Sequence, residues 1–326
     1  MIPIVQPPFQ SLSNNGSYTI FSGGIFIIPD AQNAQVLKSV DAITWTATAI
    51  DTTVQCSAAS PSLLVLGAFS TGSVYITENM VNYTKVTLPA TWSCIGVRDI
   101  TYSPSLKLFA ATADTTRAAN NMDIITSPDG VTWTIKRTVS QEPGPILWSK
   151  EKALFVAGGE WGGAGTNIAV VTSTDGIVWT SGATGSNEWT QNICFAPEIG
   201  TFVARIGLTL RYSTNGTSWT DSGFQSNGDV AWSPTLGLFA AVTSTTNVIK
   251  TSNDGITWTD RTSAATDNYS ICWSNKKAKF VVTPNTGKYI LQTSLNGTSW
   301  STGSDLSSFS NPNPIQIKYY DELSGY

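Results

Sequence analysis

Residues 252–259 read SNDGITWT, and near-copies of this stretch recur along the chain, as STNGTSWT at 213–220 and SLNGTSWS at 294–301. Seven copies align on a terminal aromatic residue, namely Trp45, Tyr83, Trp133, Trp179, Trp219, Trp258 and Trp300. Successive aromatics lie 38, 50, 46, 40, 39 and 42 residues apart. A period near 40 residues is typical of a propeller blade or a solenoid unit.

One period, residues 229–262, shows what each unit contains. The runs DVAWS, LFAAVTS, VIKTS and ITWTDRT are rich in Val, Ile, Phe, Thr and Trp, and they are separated by the turn sequences PTLG, TTN and NDG. Such runs predict four antiparallel strands, and no segment shows the apolar period of a helix. The sequence therefore predicts an all-β, seven-bladed β-propeller with four strands per blade.

The blades are predicted to span residues 16–50, 52–88, 97–141, 145–184, 190–224, 228–263 and 269–303. Residues 1–15 and 304–326 lie outside them as extensions. The first unit is expected to be complete from Ser17, so ring closure needs no strand from the other end of the chain. Two roles remain open for the extensions, which are docking on a partner and closing the ring.

A second repeated phrase marks the first strand of five units. TYSP, LWSK, CFAP, AWSP and CWSN carry an aromatic side chain at one fixed site, that of Tyr102, Trp148, Phe195, Trp232 and Trp273. We expect this side chain to lie between neighbouring blades, and we expect Cys56 to take its place in the second unit. Cys194 and Cys272 occupy equivalent sites in units that are not neighbours, which disfavours a disulfide between them.

The repeated phrase resembles the Asp-box, or BNR repeat, found in propellers of sialidases, other glycosidases, sortilin-like receptors and photosystem assembly factors. This resemblance implies a hairpin between the third and fourth strands, in which Asp or Asn bonds the backbone, Gly takes a positive φ and Trp packs beneath. The matching residues are Asp41, Trp45, Asp129, Trp133, Asp175, Trp179, Asn215, Trp219, Asp254, Trp258, Asn296 and Trp300. The first unit has Ala42 in place of Gly, and the second keeps little beyond its aromatic. Such drift indicates a structural role for the turn.

Composition limits the classes of partner. Only 12% of the residues are charged, the net charge is −4 and histidine is absent. No basic block predicts nucleic-acid binding, and no metal site or cofactor is predicted. The opening MIPIVQPPFQ lacks the features of a secretory signal, and no run reaches the length of a membrane span.

Four longer loops, at 88–98, 113–121, 158–167 and 184–191, are predicted to project from the face opposite the repeated turns. Tryptophan beside carboxylate suits carbohydrate, because the ring stacks on sugar C–H groups and the carboxylate accepts hydroxyl protons. The alternative is that these tryptophans only fill space between loops. The candidate ligand-binding residues are Trp92, Arg98, Arg117, Glu160, Trp161, Glu188 and Trp189.

Catalysis is not predicted. The sialidase family needs an arginine triad and an early Phe/Tyr-Arg-Ile-Pro stretch. The nearest match to that stretch here, ARIG around Arg205, lacks the aromatic residue and the proline. The low charge and the Ser, Thr and Asn content resemble propellers of bacteriophage virion proteins. We therefore expect a structural and binding protein of a virion (tail, fibre or capsid decoration) that contacts a protein neighbour and host glycan. The alternatives are a glycosidase acting through Glu160 or Glu188 and a cytoplasmic assembly factor that binds a protein partner.

Overall fold

The computed structural model describes residues 24–115, 121–139, 141–160, 170–182, 188–243, 247–285, 289–309 and 316–320, without the side chain of Glu160. Within these ranges 28 strands form seven antiparallel sheets of four strands each. The predicted all-β, seven-bladed propeller is confirmed. The helices of the described residues are two short 3-10 turns, and none could span a membrane.

The strands of blades 1 to 3 follow the chain except that blade 1 includes the last strand. Blade 1 contains β1 (Ile25–Pro29), β2 (Gln35–Ser39), β3 (Thr46–Ala49) and β28 (Lys318–Tyr320). Blade 2 contains β4 (Val54–Ala59), β5 (Leu64–Ala68), β6 (Ser73–Thr77) and β7 (Thr84–Thr87). Blade 3 follows the 3-10 turn η1 (Ala90–Trp92) and contains β8 (Cys94–Ser103), β9 (Leu108–Thr115), β10 (Asn121–Ser127) and β11 (Thr134–Val139).

Blades 4 to 7 are consecutive in the chain. Blade 4 contains β12 (Glu142–Ser149), β13 (Leu154–Glu160), β14 (Val171–Ser173) and β15 (Thr180–Ser181), and blade 5 contains β16 (Thr190–Ala196), β17 (Thr201–Ile206), β18 (Thr209–Ser213) and β19 (Thr220–Gln225). Blade 6 contains β20 (Val230–Ser233), β21 (Leu238–Val242), β22 (Val248–Ser252) and β23 (Thr259–Thr262). Blade 7 contains β24 (Asn268–Ser274), β25 (Lys279–Pro284), β26 (Ile290–Ser294) and β27 (Ser301–Asp305), and the 3-10 turn η2 (Ser307–Phe309) follows it.

Ring closure differs from the expectation. Blade 1 has the order β28-β1-β2-β3, so its first, innermost strand comes from the C-terminal segment that the sequence interpretation left outside the blades. Tyr320 pairs with Ile25, Tyr319 with Phe26 and Lys318 with Ile27. The expectation that the first unit is complete from Ser17 is therefore wrong for the innermost position, because β28 supplies the strand that pairs with β1.

The hairpins of each blade lie alternately at the two ends of its strands. Connections from the first strand to the second and from the third to the fourth share one end, which we call the turn face. Connections from the second strand to the third, and from one blade to the next, share the other end, which we call the loop face. The repeated turns lie between third and fourth strands and therefore occupy the turn face, as predicted.

A stack of three aromatic rings fills the interior of most blades. In blade 6 the rings of Trp232 and Phe239 have centroids 4.6 Å apart, and Phe239 lies 6.1 Å from Trp258 of the repeated turn. The same triplet occurs in blades 1, 4, 5 and 7, as Tyr319–Phe26–Trp45, Trp148–Phe155–Trp179, Phe195–Phe202–Trp219 and Trp273–Phe280–Trp300. Tilted ring pairs at these distances stabilise a core beyond the area they bury.

Blade 2 lacks the triplet. The register places Ala59 opposite Leu64 at the site where blade 6 pairs Trp232 with Phe239. Cys56 pairs with Gly67, three positions earlier, so the expectation that it replaces the aromatic is wrong. Its thiol lies against Gly67, where a side chain on residue 67 would collide with it.

Seven buried hydrophobic clusters join the blades, and each cluster of the described residues draws on two neighbouring blades. The cluster around Phe26 and Trp45 of blade 1 includes Cys272 and Val281 of blade 7, so packing continues across the point where the chain ends meet. The first-strand aromatics belong to clusters shared with the preceding blade, as expected for their predicted position. Each blade thus buries both faces of its sheet on a neighbour.

The repeated turn is held by side-chain hydrogen bonds to its own backbone. In blade 6, Asp254 Oδ1 accepts from the N–H groups of Ile256 and Thr257, each at 2.8 Å, and from Ser252 Oγ at 2.9 Å. Gly255 takes a φ of 76°, and its carbonyl accepts from Trp258 Nε1 at 3.2 Å. These local bonds use both the carboxylate and the hydroxyl, so the turn residues serve the hairpin itself.

The two units that depart from the sequence pattern form the same turn. In blade 2, Asn79 Oδ1 accepts from the N–H groups of Val81 and Asn82 at 2.9 Å each, although the sequence TENMVNY keeps little of the pattern beyond its aromatic. Ala42 and Met80 stand at the glycine position with φ of 62° and 55°. Positive φ is strained for residues with a Cβ, so blades 1 and 2 form the turn at a cost that glycine avoids.

We expect Asp254→Ala to lower the free energy of unfolding by about 1–2 kcal/mol, because three hydrogen bonds lose their acceptor. Asp254→Asn should cost only a few tenths of a kcal/mol, since Asn215 and Asn296 make the same backbone bonds at 2.9 Å in blades 5 and 7. Urea denaturation at pH 7 measures both. Equal losses for the two variants would contradict the acceptor role.

Candidate functional site

Two of the predicted loop-face residues lie at the start of blade 3. Trp92 belongs to η1 and is half-buried against the cluster of blades 2 and 3, and its carbonyl accepts from Thr115 Oγ1 at 3.0 Å. Arg98 is exposed at a bulge of β8. Burial raises the pKa of the nearby Asp114, and the charge of Arg98 opposes that rise. Trp92 therefore fills space in the core, which was the alternative to ligand binding, whereas Arg98 is exposed to solvent.

Two more candidates lie at the start of blade 5. Glu188 is exposed and Trp189 is 40% exposed, and Gly207 donates its N–H to the carbonyl of Trp189 at 2.7 Å. A side chain on residue 207 would collide with the Glu188 carboxylate, so this glycine lets the acid lie against the backbone. Glu188 and Trp189 are thus adjacent and accessible on the loop face.

The other three candidates cannot be placed by their side chains. Arg117 and Trp161 lie outside the described residues. Glu160 ends β13, where its backbone pairs with that of Glu142, and its side chain is also outside the described part. The described candidates lie on one face, but two are at the start of blade 3 and two at the start of blade 5.

The central channel is a cavity with a volume of about 1130 Å³. Its wall is made by the first strands of the seven blades, and it reaches the turn face between residues such as Glu151, Glu198 and Lys276. Ligand sites in proteins usually enclose about 300–1,000 Å³. None of the four described loop-face candidates lines this channel.

The first strands line the channel in layers. One layer is a polar belt, three residues before the first-strand aromatic, and it contains Gln316, Asp99, Asn192, Asp229 and Ser270. The next layer is aliphatic in six blades and contains Ile317, Ile100, Ile146, Ile193, Val230 and Ile271. The aromatic residues follow towards the turn face. A roomy, mostly apolar cavity with a few convergent polar groups is the usual form of a binding site.

On the side of blades 1 to 3, the polar groups bond to one another. Lys318 Nζ donates to Asp99 Oδ1 at 3.1 Å and to the carbonyls of Ser57 and Ile100 at 2.8 and 3.1 Å. Burial alone would lower the pKa of Lys318, but the charge of Asp99 raises it. Tyr320 Oη and Ser57 Oγ are 2.8 Å apart, and burial raises the pKa of Tyr320 to about 12. These bonds tie β28 to blades 2 and 3.

The side of blades 5 and 6 is different. Asp229 lies directly before β20, is half-buried, and accepts a hydrogen bond from the Ser270 side chain. Burial raises the pKa of Asp229 to about 6, against the opposing effects of this bond and of the charge of Arg205. Asn192 Oδ1 accepts from the N–H of Val230 at 3.1 Å, which places its amide beside Asp229. Perturbed carboxyl groups in cavities are candidates for function.

The thiols of the channel wall are not reactive groups. All four cysteines are unpaired, and burial raises the pKa of Cys194 to about 12 and also raises that of Cys272. Nucleophilic cysteines have lowered pKa values, so these two act as small apolar residues.

Sequence reasoning missed the channel site. Its signal was present, because Asn192, Asp229 and Ser270 all stand three residues before the aromatic of the repeated first-strand phrase. Aligning the units on that aromatic would have shown a polar position within an apolar strand.

No protein-family model matches the chain, and no curated protein matches its sequence. Among solved structures it is similar to virginiamycin B lyase from Staphylococcus aureus, with a TM-score of 0.63 and 12% identity over 87% of this chain and 92% of that one.

It is also similar to a protein of unknown function from Desulfotomaculum acetoxidans, with a TM-score of 0.67 and 9% identity over 90% of this chain and 98% of that one. For the WD40 repeats of RRP9 the TM-score is 0.53 and the identity 10%, over 82% of this chain and 92% of that one. At these identities the likeness shows the fold alone, which is the seven-bladed β-propeller.

Proposed function

We propose that the chain is a non-enzymatic structural and binding module, attached to a protein neighbour in a larger assembly by its turn face. The observation that carries this proposal is the distribution of exposed apolar side chains. Of the fifteen exposed large hydrophobic side chains in the described part of the chain, ten lie on the turn face by their position in the hairpins. Soluble proteins rarely concentrate such side chains on one face without a partner.

The exposed side chains recur at one position of the repeated turn. The fifth residue of the turn is a β-branched aliphatic residue in five blades, and we call this set the aliphatic rim. It consists of Ile43, Val81, Val131, Ile177 and Ile256, which are between 43% and 69% exposed. The backbone N–H group of each of these residues donates to the Asp or Asn Oδ1 of its turn. Because this bond uses only the backbone of the rim residue, it does not require an apolar side chain at this position. Recurrence around the ring therefore favours a contact role.

The assembly that best suits the composition is a virion, as the sequence analysis also predicts. The repeated turn is of the Asp-box type in this proposal. A surface of Ser, Thr and Asn with 12% charged residues supports this proposal. A cytoplasmic assembly factor would use the same face to bind its partner, so location separates the two proposals. Co-sedimentation with particles distinguishes them.

We expect the triple variant Ile43→Lys, Val81→Lys and Ile177→Lys to fold normally and to co-sediment with virions at least about tenfold less than wild type. Ammonium groups facing an apolar contact must be desolvated, and a tenfold loss corresponds to about 1.4 kcal/mol. The matched control changes three exposed residues of the loop face, Ile95→Lys, Leu208→Lys and Ile290→Lys, and should co-sediment like wild type.

Equal loss in both triple variants, or wild-type protein free of particles, would contradict the proposal. Analytical ultracentrifugation of the purified chain gives a further test. A dimer that the turn-face variant dissociates would show that the rim joins copies of this chain and contacts no different neighbour.

A second candidate function is glycan binding on the loop face, which the exposed Trp189 beside the exposed Glu188 favours. We expect Trp189→Ala to weaken binding to arrayed host glycans by about tenfold, a loss of about 1.4 kcal/mol. Phe69→Ala, at a side chain 43% exposed on the same face, is the control. Unchanged binding in the Trp189 variant would exclude this site, and cleaved glycans would contradict the non-enzymatic proposal.

A further inference from the structure

We propose that the central channel binds an alkylammonium or guanidinium group between blades 5 and 6, with Asp229 as its counter-ion and Asn192 as a second polar contact. This inference is independent of the turn-face proposal, because it uses neither the aliphatic rim nor a protein neighbour. The ligand is defined by its chemistry, which is a cation on an apolar stem.

The two carboxylates of the polar belt differ in their partners. Asp99 Oδ1 accepts from Lys318 at 3.1 Å and from Gln316 Nε2 at 3.3 Å, and its Oδ2 accepts from the N–H of Ile146 at 3.0 Å. Both carboxylate oxygens of Asp99 thus accept hydrogen bonds from the protein itself. Asp229 accepts from the Ser270 side chain, and no described cation lies within ion-pair distance of it. Its carboxylate has room for another donor.

Asn192 adds a donor beside this carboxylate. Its Oδ1 is used by the N–H of Val230, the residue after Asp229, at 3.1 Å. The Nδ2 group donates to none of the described residues, although an amide can donate two hydrogen bonds. Asn192 lines the channel, so its amide can donate to a carbonyl or hydroxyl oxygen of the same ligand.

The surroundings favour a cation on an apolar stem. Ile193, Val230 and Ile271 line this side and are each no more than 8% exposed, so the wall next to Asp229 is hydrophobic. A partly desolvated carboxylate is stabilised more by a cation than by a neutral hydroxyl group. An anion would meet the charges of both Asp229 and Asp99.

The mouth of the channel on the turn face is negatively charged on the same side as Asp229. Glu198, in the turn after β16, accepts a hydrogen bond from Trp232 Nε1 at 2.7 Å and lines the mouth of the channel on this side. Lys276 lines the mouth on blade 7, and Lys150 and Glu151 line it together on blade 4. A cation would therefore enter along blades 5 and 6, where Glu198 and Asp229 lie with no lysine beside them among the described residues of the mouth.

The pH dependence follows from the charges facing Asp229. Arg205 and Lys318 favour its ionised form and Asp99 opposes it, while burial is the largest influence. With a pKa of about 6, Asp229 is ionised at pH 7.5 and mostly protonated at pH 5. Cation affinity should therefore fall about tenfold between these values of pH, because roughly one molecule in eleven keeps the charge at pH 5.

The test titrates the full chain with n-butylammonium and N-acetyl-lysine methylamide, with n-butanol as the neutral analogue, and follows Trp232 and Trp273 by indole NMR signals. These two rings line the channel. We expect both amines to shift the signals at pH 7.5, with dissociation constants about tenfold higher at pH 5, and n-butanol to bind at least tenfold more weakly. Binding of the lysine derivative alone would place the cation on a peptide, and equal binding of both would indicate a free amine.

Asp229→Asn should raise the dissociation constant for n-butylammonium at least tenfold at pH 7.5 and remove its pH dependence. Asp260→Asn, at a 63% exposed side chain paired with Lys250, is the matched control and should bind like wild type. Amine affinity that n-butanol equals, or that Asp229→Asn leaves unchanged, would overturn the proposal. If the Asn variant does not fold, amine affinity of the wild type that is the same at pH 5 and 7.5 would overturn it as well.

Discussion

The structure depends on one constraint, which is that every blade must bury both faces of its sheet on a neighbour. A ring of seven blades meets this constraint only if blade 1 is complete, and the three-residue strand β28 completes it by pairing with β1. Lys318 strengthens this closure, because it bonds to Ser57, Asp99 and Ile100 of the next two blades. The channel exists because the seven first strands, including β28, face one another across the ring axis.

Within the ring, each blade is shaped by its aromatic stack and its repeated turn. The sequence contained enough to predict the fold, since the turn phrase and the first-strand phrase recur with one period. The central ring of the stack was missed, although Phe26, Phe109, Phe155, Phe202, Phe239 and Phe280 recur near the start of the second strand and are fully buried. Aligning the units on this phenylalanine would have predicted the core.

The closing strand and the channel site were harder to predict. Gln316, Ile317 and Tyr319 match the polar, aliphatic and aromatic positions of the other first strands, but three residues near the chain end give a weak signal. The contrast between Asp99 and Asp229 could not be read from sequence, because both occupy the same position of their units. It arises from which side chains reach them, and Lys318 reaches only Asp99 among these two. Loop length and residue type predict the loop-face candidates but not their burial, which separates the half-buried Trp92 from the exposed Trp189.

Hydrogen exchange of the β1 amides tests the closure of the ring most directly, with β21 of blade 6 as an internal reference. We predict that β1 and β21 exchange equally slowly in the wild type. Lys318→Met should accelerate exchange in β1 at least about tenfold, because removing charged hydrogen bonds of this kind costs about 1.5–3 kcal/mol. Lys250→Met, which removes a surface ion pair with Asp260, should change neither strand. Fast exchange of β1 in the wild type, or no effect of Lys318→Met, would show that β28 does not hold the ring closed.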